Sequence, residues 1–270
     1  MHTTLATTVV EGSAPARRNL LVLHGVYGRG RNWAFVAKRI IDRRPDWALH
    51  LVDLRLHGSS PAMTPPHTVR AAASDLAALA SAQTLTIDGV LGHSLGGKIA
   101  LALADAWHDR PLQVWLIDST PEVRPPSGEA WDMLERVRAL PQTFPSREDA
   151  VAALEASGCS DGVARWMITN LDYRDGELVW RLDFDAIESL LRDFFATDLW
   201  HVLESPGPGH DVHIVKAGQS DTLSMDAVQR IAALERVTNH LHFHRIAGGH
   251  WLNTENPSAL VELLSQGLPG

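Results

Sequence analysis

Cysteine is nearly absent: Cys159 is the only one in 270 residues, so no internal disulfide can form. A lone thiol suits a reducing compartment, and a cytoplasmic location is expected. An excess of basic residues is also missing. Lys and Arg number 24 against 32 Asp and Glu, a formal charge of −8. That balance excludes nucleic acid and anionic membrane surfaces as the main partner. No apolar run approaches the length of a membrane span. The opening residues Met1-His2-Thr3-Thr4-Leu5-Ala6 carry neither the basic flank nor the apolar block of a secretory leader, and none is expected. Internal repeats and low-complexity segments are lacking too. What remains is a chain long enough to bury a sizeable core, either as one large domain or as a domain with an insertion.

Short apolar runs alternate with helix-like stretches, which predicts a mostly parallel sheet covered on both faces. The expected strands are 20–23, 48–54, 89–91, 113–117, 213–216 and 242–246, and the expected helices are 33–41, 69–82, 97–107, 226–236 and 257–264. The alternation breaks between Pro121 and about Pro208, where only helical patterns stand out. Ile187, Leu190, Leu191, Phe194 and Phe195 fall on one helical face there. Pro125-Pro126 and Ser205-Pro206-Gly207-Pro208-Gly209 bracket this interval like hinges. The expected organisation is a core of residues 1–120 and 206–270 with a helical cap at 121–205. Trp131, Trp166, Trp180 and Trp200 lie in the cap, four of nine tryptophans. Most should pack its own small core, with one or two left to line an apolar pocket.

Val90-Leu91-Gly92-His93-Ser94-Leu95-Gly96-Gly97 is the most telling stretch. An apolar strand runs into G-x-S-x-G and a helix-forming run follows, the context in which a serine stands exposed on a sharp turn. Gly92 and Gly96 leave room for strand and helix backbones to approach closely, and the helix start directs free N–H groups at the site. A serine hydroxyl still needs a base. His250 is the best of fourteen histidines, because Gly248-Gly249-His250-Trp251 follows the last strand. Loops at the carboxyl ends of parallel strands gather at one edge, and Ser94 lies at that edge. The imidazole needs a carboxylate, and two compete: Asp118, ending the strand 113–117, and Asp221, following the strand 213–216. Either yields the order Ser, Asp, His. Attack creates an oxyanion, for which the expected donors are the amides of Leu95, next to the serine, and Val26, after the first strand. His24 is read as bracing that loop, and His93 as packing within the elbow.

Two other patterns point elsewhere. Gly92 to Lys98 fits the start of a phosphate-binding loop, but Ile99 lacks the hydroxyl that would hold Mg²⁺, so no nucleotide is expected. His240-Leu241-His242-Phe243-His244 puts three histidines on one side of a strand. With no acidic or cysteine partner nearby in sequence, the row reads as a partly solvated edge strand, and neither metal nor cofactor is expected.

Taken together, His24-Gly25-Val26-Tyr27-Gly28, Asp53-Leu54-Arg55-Leu56-His57-Gly58-Ser59-Ser60, Gly92–Lys98 and Gly248–Trp251 resemble the signatures of the α/β-hydrolase family. Its small acyl-esterase branch is the nearest likeness, and the resemblance spans almost the whole chain. It implies an eight-stranded sheet with a helical cap inserted after the strand that ends at Asp118. It implies Asp118 as the acid, with Asp221 as the alternative, and it aligns Ser220 with the position where other branches carry theirs. The expected activity is hydrolysis of a small-molecule carboxylic ester by Ser94, His250 and Asp118. The rivals are a thioesterase, a carbon–carbon bond hydrolase or lyase, and a non-hydrolytic receptor on the same fold.

Overall fold

The structure is a computed structural model that describes residues 4–270; Met1, His2 and Thr3 of the opening segment lie outside the described residues. β1 (Thr7–Glu11) and β2 (Arg18–Leu23) open the fold, followed by α1 (Ala34–Ile41), β3 (Trp47–Val52) and α2 (Val69–Ala82). β4 (Gly89–His93), α3 (Leu95–Ala106) and β5 (Leu112–Ile117) complete this half. The next segment holds α4 (Glu129–Ala139), β6 (Thr143–Phe144), α5 (Arg147–Ala156), α6 (Asp161–Met167), β7 (Leu171–Arg174), β8 (Glu177–Trp180), α7 (Phe184–Ala196) and α8 (Trp200–Glu204). β9 (His210–Ala217), α9 (Met225–Glu235), β10 (Leu241–Ile246), α10 (Leu252–Glu255) and α11 (Pro257–Gly267) close the chain.

The main sheet has seven strands among the described residues, in the order β1-β3-β2-β4-β5-β9-β10. Eight were expected from the family resemblance. All pairs are parallel except β1 with β3. Every residue of β3, β4 and β5 is buried, the pattern of strands covered on both faces. β1 escaped the sequence reading because it is an edge strand whose Thr-Thr-Val-Val-Glu run is mostly exposed and shows no apolar alternation. Chain order reverses between β2 and β4, so the crevice beyond their carboxyl ends is where this class of sheet exposes functional groups.

β5 and β9 are neighbours, so residues 118–209 form an excursion from the sheet. It contains a second, three-stranded antiparallel sheet, β6-β8-β7, where only helices were expected. The missed signal was Asp175-Gly176. Both residues have positive φ, 50° and 92°, and they close the hairpin between β7 and β8, as the two-residue turns that match strand twist require. The helical reading of Asp185–Phe195 agrees with α7, which buries Ile187, Leu190, Leu191, Phe194 and Phe195.

Contact between the excursion and the sheet domain is polar as well as apolar. Lys98, on α3, is fully buried and donates through Nζ to the carbonyls of Glu122 (2.9 Å) and Phe194 (2.5 Å). The lysine that mimicked a phosphate-binding loop therefore ties the two layers together. Burial and repulsion by Arg124 push its ammonium down to about 8.

α3 meets the sheet without side chains between the backbones. A Cβ on Gly96 would lie 2.6 Å from the His24 carbonyl and 2.7 Å from that of Leu23, and neither can move without breaking β2. Gly96→Ala should therefore destabilise the protein by at least about 1–3 kcal/mol in urea unfolding. Gly162→Ala provides the contrast. Nothing lies within 4 Å of its Cβ position on α6, and it should stabilise by about 0.4–1 kcal/mol.

Candidate active site

Ser94 sits between β4 and α3 with φ 53° and ψ −118°, a conformation that costs backbone energy and turns the side chain away from both elements. Its amide donates to the Ile117 carbonyl (3.0 Å), and its carbonyl accepts from the Ser119 hydroxyl (2.7 Å), so neighbouring strand ends hold the apex. Ser94 is largely buried, with 8% of its surface exposed, and it lines two cavities. His250 lines both as well.

Asp118 follows β5 directly, has φ 45° and is wholly buried. Its Oδ2 accepts from His250 Nδ1 (2.6 Å) and from the Ser220 hydroxyl (2.5 Å), while Oδ1 accepts from the Ala217 amide (3.0 Å). Burial pushes the carboxyl up, but these bonds, led by that from His250, outweigh it and hold the group below the ordinary carboxylate range. Thr222 Oγ1 lies 3.1 Å from the same His250 nitrogen. Asp221, the competing acid, is exposed on the rim of the cavity, and no bond joins it to His250. Ser220 and Thr222 had no pattern of their own in the sequence. Ser220 is marked only by its alignment with the acid position of other branches of the family.

His93 does more than fill the elbow. Its Nε2 donates to the His250 carbonyl (2.8 Å), and its ring packs between Trp33, His250 and Trp251. The residue beside the serine thus anchors the loop that carries the imidazole. Burial first, then repulsion from His250, drive its own imidazole down to about 3, so it stays neutral.

The loop after β2 is braced just as closely. His24 Nδ1 donates to the Gly25 carbonyl (2.7 Å), and its Nε2 accepts from the Leu54 amide (3.0 Å). His57 Nδ1 donates to the Arg55 carbonyl (2.8 Å), and its Nε2 accepts from the Tyr27 amide (3.1 Å). Arg55 is in turn held by Asp75 (2.7 Å), and Asp53 accepts from the amides of Gly30 and Ser59, both at 2.7 Å. The Asp53–Ser60 motif is therefore scaffolding for the Val26–Gly30 loop. From the excursion, Asn170 donates to the Tyr27 carbonyl (2.8 Å), and the Tyr27 hydroxyl donates to that of Ala130 (2.8 Å). Among the described residues the amides of Val26 and Leu95 donate to no other group. Val26 lines a crevice of about 60 Å³ with Ser94 and His250.

That crevice shares lining residues with two larger spaces. One, about 360 Å³, is walled by Trp33, Trp166 and Trp251. The other, about 460 Å³, is lined by Ser94, Arg124, Phe194, Asp221 and Thr222. Of the four tryptophans in the excursion, Trp166 is the one at this site, with its ring 4.7 Å from that of Trp251. Trp180 and Trp200 are buried in packing, and Trp131 sits against Phe195.

The sequence profile described as the alpha/beta hydrolase family matches residues 20–263. The chain belongs to that family. Among its relatives, the sn-1-specific diacylglycerol lipase ABHD11 of Mus musculus is 25% identical, over 97% of this chain and 84% of its own. Esterase YbfF of Escherichia coli (strain K12) is also 25% identical, over 91% of both chains. Among solved structures, a marine microorganism esterase superimposes with a TM-score of 0.82 at 20% identity, covering 98% of this chain and 99% of its own. E-2-(acetamidomethylene)succinate hydrolase does so with 0.73 at 22%, over 97% and 94%. No helix among the described residues is long and apolar enough to cross a membrane.

The buried histidines of this hydrolase set a pH limit. His24 and His57 are held below the ordinary imidazole value of 6.5 by burial, His57 to about 4, as His93 is to about 3. Unfolding releases each to titrate near 6.5, so below that pH the unfolded chain binds more protons than the folded one. Stability is then full above pH 6.5 and falls as the pH drops toward 4, by up to about 1.4 kcal/mol per unit for each histidine. The urea midpoint should be clearly lower at pH 5 than at pH 7; equal midpoints would show that these imidazoles are not held neutral.

Proposed function

We propose that this chain is a carboxylic-ester hydrolase that works through an acyl-enzyme on Ser94. The reading rests chiefly on one observation, the 2.6 Å bond from His250 Nδ1 to the buried Asp118. A proton held on Nδ1 leaves the Nε2 lone pair free to act as base. Ser94 Oγ attacks the acyl carbon as its proton passes to Nε2. The oxyanion is held by the amides of Val26 and Leu95, each worth about 2.7–4 kcal/mol in the transition state. Collapse breaks the ester bond, and Nε2 returns the proton to the departing alcohol oxygen. Water then repeats the sequence against the acyl-enzyme, releasing the acid and restoring Ser94. Asp118 keeps the imidazole in the productive tautomer and offsets its transient positive charge. Ser220, His93 and Thr222 hold that pair in place.

Residues 121–205 serve in this reading as a lid over a core of 1–120 and 206–270, with Trp166 and Arg124 as its contributions to the substrate space. The tryptophan-walled lobe takes the apolar part of the ester, and the Arg124 lobe takes its polar part. The relatives named esterase and lipase support ester chemistry, and a small-molecule ester as the substrate. A lone buried thiol, Cys159, fits a cytoplasmic setting.

Steady-state hydrolysis of p-nitrophenyl esters of increasing acyl length tests the proposal. Ser94→Ala should lower turnover by about 10⁴–10⁶, and residual activity above a tenth of wild type would sink the assignment. Asp118→Asn should cost about 10⁴ in kcat, whereas Asp221→Asn should stay within about twofold. The reverse ranking would transfer the acid role to Asp221. Trp166→Ala should move the preferred acyl length; an unchanged profile would remove that residue from the substrate wall.

A further inference from the structure

At the end of the sheet remote from Ser94, the histidine row acquires the acidic partner that its sequence neighbourhood lacks. Asp211 and His213 lie two residues apart on β9 and so face the same side. His242 on β10, the edge strand, stands directly across from His213. Their rings are stacked at 4.5 Å and 25°. One carboxylate meets both imidazoles through the same ring atom: Asp211 Oδ1 is 2.8 Å from His242 Nε2, and Oδ2 is 3.0 Å from His213 Nε2. One donor atom from each of the three residues lies within 4.8 Å of the others.

We propose that Asp211, His213 and His242 bind one divalent transition-metal ion, of the Zn²⁺ type. Two imidazoles with one carboxylate form a donor set suited to Zn²⁺, Co²⁺ or Ni²⁺ and poorly suited to Ca²⁺ or Mg²⁺. Zn²⁺ bonds of about 2.0–2.2 Å require the ligand atoms to spread slightly from their present spacing. Asp211 and His242 can do so, because their side chains are 41% and 40% exposed. That exposure also gives the ion an entry path and leaves positions for water.

The surroundings are arranged as ligands need. His213 is fixed by stacking on Trp115 at 3.9 Å and 12°. Its Nδ1 lies 3.1 Å from His244 Nε2, which can accept a proton there and leave His213 Nε2 as the ligand atom. Gln113 Nε2 donates to Asp211 Oδ2 (3.1 Å) and to the Gly267 carbonyl (2.8 Å), holding the carboxylate. Such outer partners orient ligands in established metal sites. Neutral imidazoles need only move their proton from Nε2 to Nδ1, so binding requires no other reactant. The ion would join β10 to β9, and β10 leads into the loop that carries His250.

Titration calorimetry of the intact protein with Zn²⁺, paired with visible spectra of Co²⁺-loaded protein, tests the site. Wild type should bind one ion, and His242→Gln and Asp211→Asn should each weaken binding by more than about tenfold. Both positions are half-exposed, so the variants should fold, with ester hydrolysis reporting that they have. His250→Ala and Cys159→Ser should bind Zn²⁺ as wild type does. The proposal fails if wild type binds no Zn²⁺, if His242→Gln and Asp211→Asn bind as tightly as wild type, or if binding is lost with His250 or Cys159.

Discussion

The structure depends on how closely the first turn of α3 approaches the sheet. At Gly96 the helix backbone sits against the carbonyls of Leu23 and His24, and at Gly92 a side chain would run into the Gly96 carbonyl. Only glycine permits both contacts. This approach drives Ser94 to positive φ and raises it at the apex. It also points the first turn of the helix, with its unsatisfied amides, at the crevice beside the Val26 loop. A wider separation would leave the serine buried within an ordinary strand-to-helix connection.

Around that apex the molecule spends many polar residues on holding backbone. His24 ties Gly25 to Leu54 and Arg55 bonds to the Pro66 carbonyl, while His57 and Asp53 hold the Val26–Gly30 loop through the Tyr27 and Gly30 amides. His93 does the same for the His250 loop. Side chains that look chemically reactive in sequence act here as struts, and burial keeps the histidines among them uncharged. Both ring nitrogens of His24 and of His57 are paired with backbone groups, which limits the cost of placing them in the interior. The outcome is a frame around His250, whose Nδ1 faces the Asp118 carboxylate.

Much of this frame was legible in the chain. Near-continuous apolar strands and amphipathic helices located β2 to β5, β9 and β10, and the helix expected at 69–82 coincides with α2. Seven strands stand in the main sheet among the described residues where eight are expected, because family likeness carries a typical count and not this chain's own edge. β7 and β8 leave no readable pattern although Asp175-Gly176 marks their turn, since four-residue strands in a helical neighbourhood carry little periodicity. Trp166 could not be told from Trp131 or Trp200, because helical spacing defines a face and not what the face meets.

The sequence by itself determined the sharp turn at Ser94, the candidate base and the alternation of strand and helix. Those depend on local backbone freedom and on short-range periodicity, which neighbouring residues encode. Tertiary structure alone brought the Asp118 carboxylate to His250 and left Asp221 exposed on the cavity rim, a placement that depends on the pairing of β5, β9 and β10. It also brought Asp211 and His213 to His242, residues about thirty positions apart in the chain that strand pairing sets side by side. Contacts of that kind arise from sheet register, which no local stretch of sequence records.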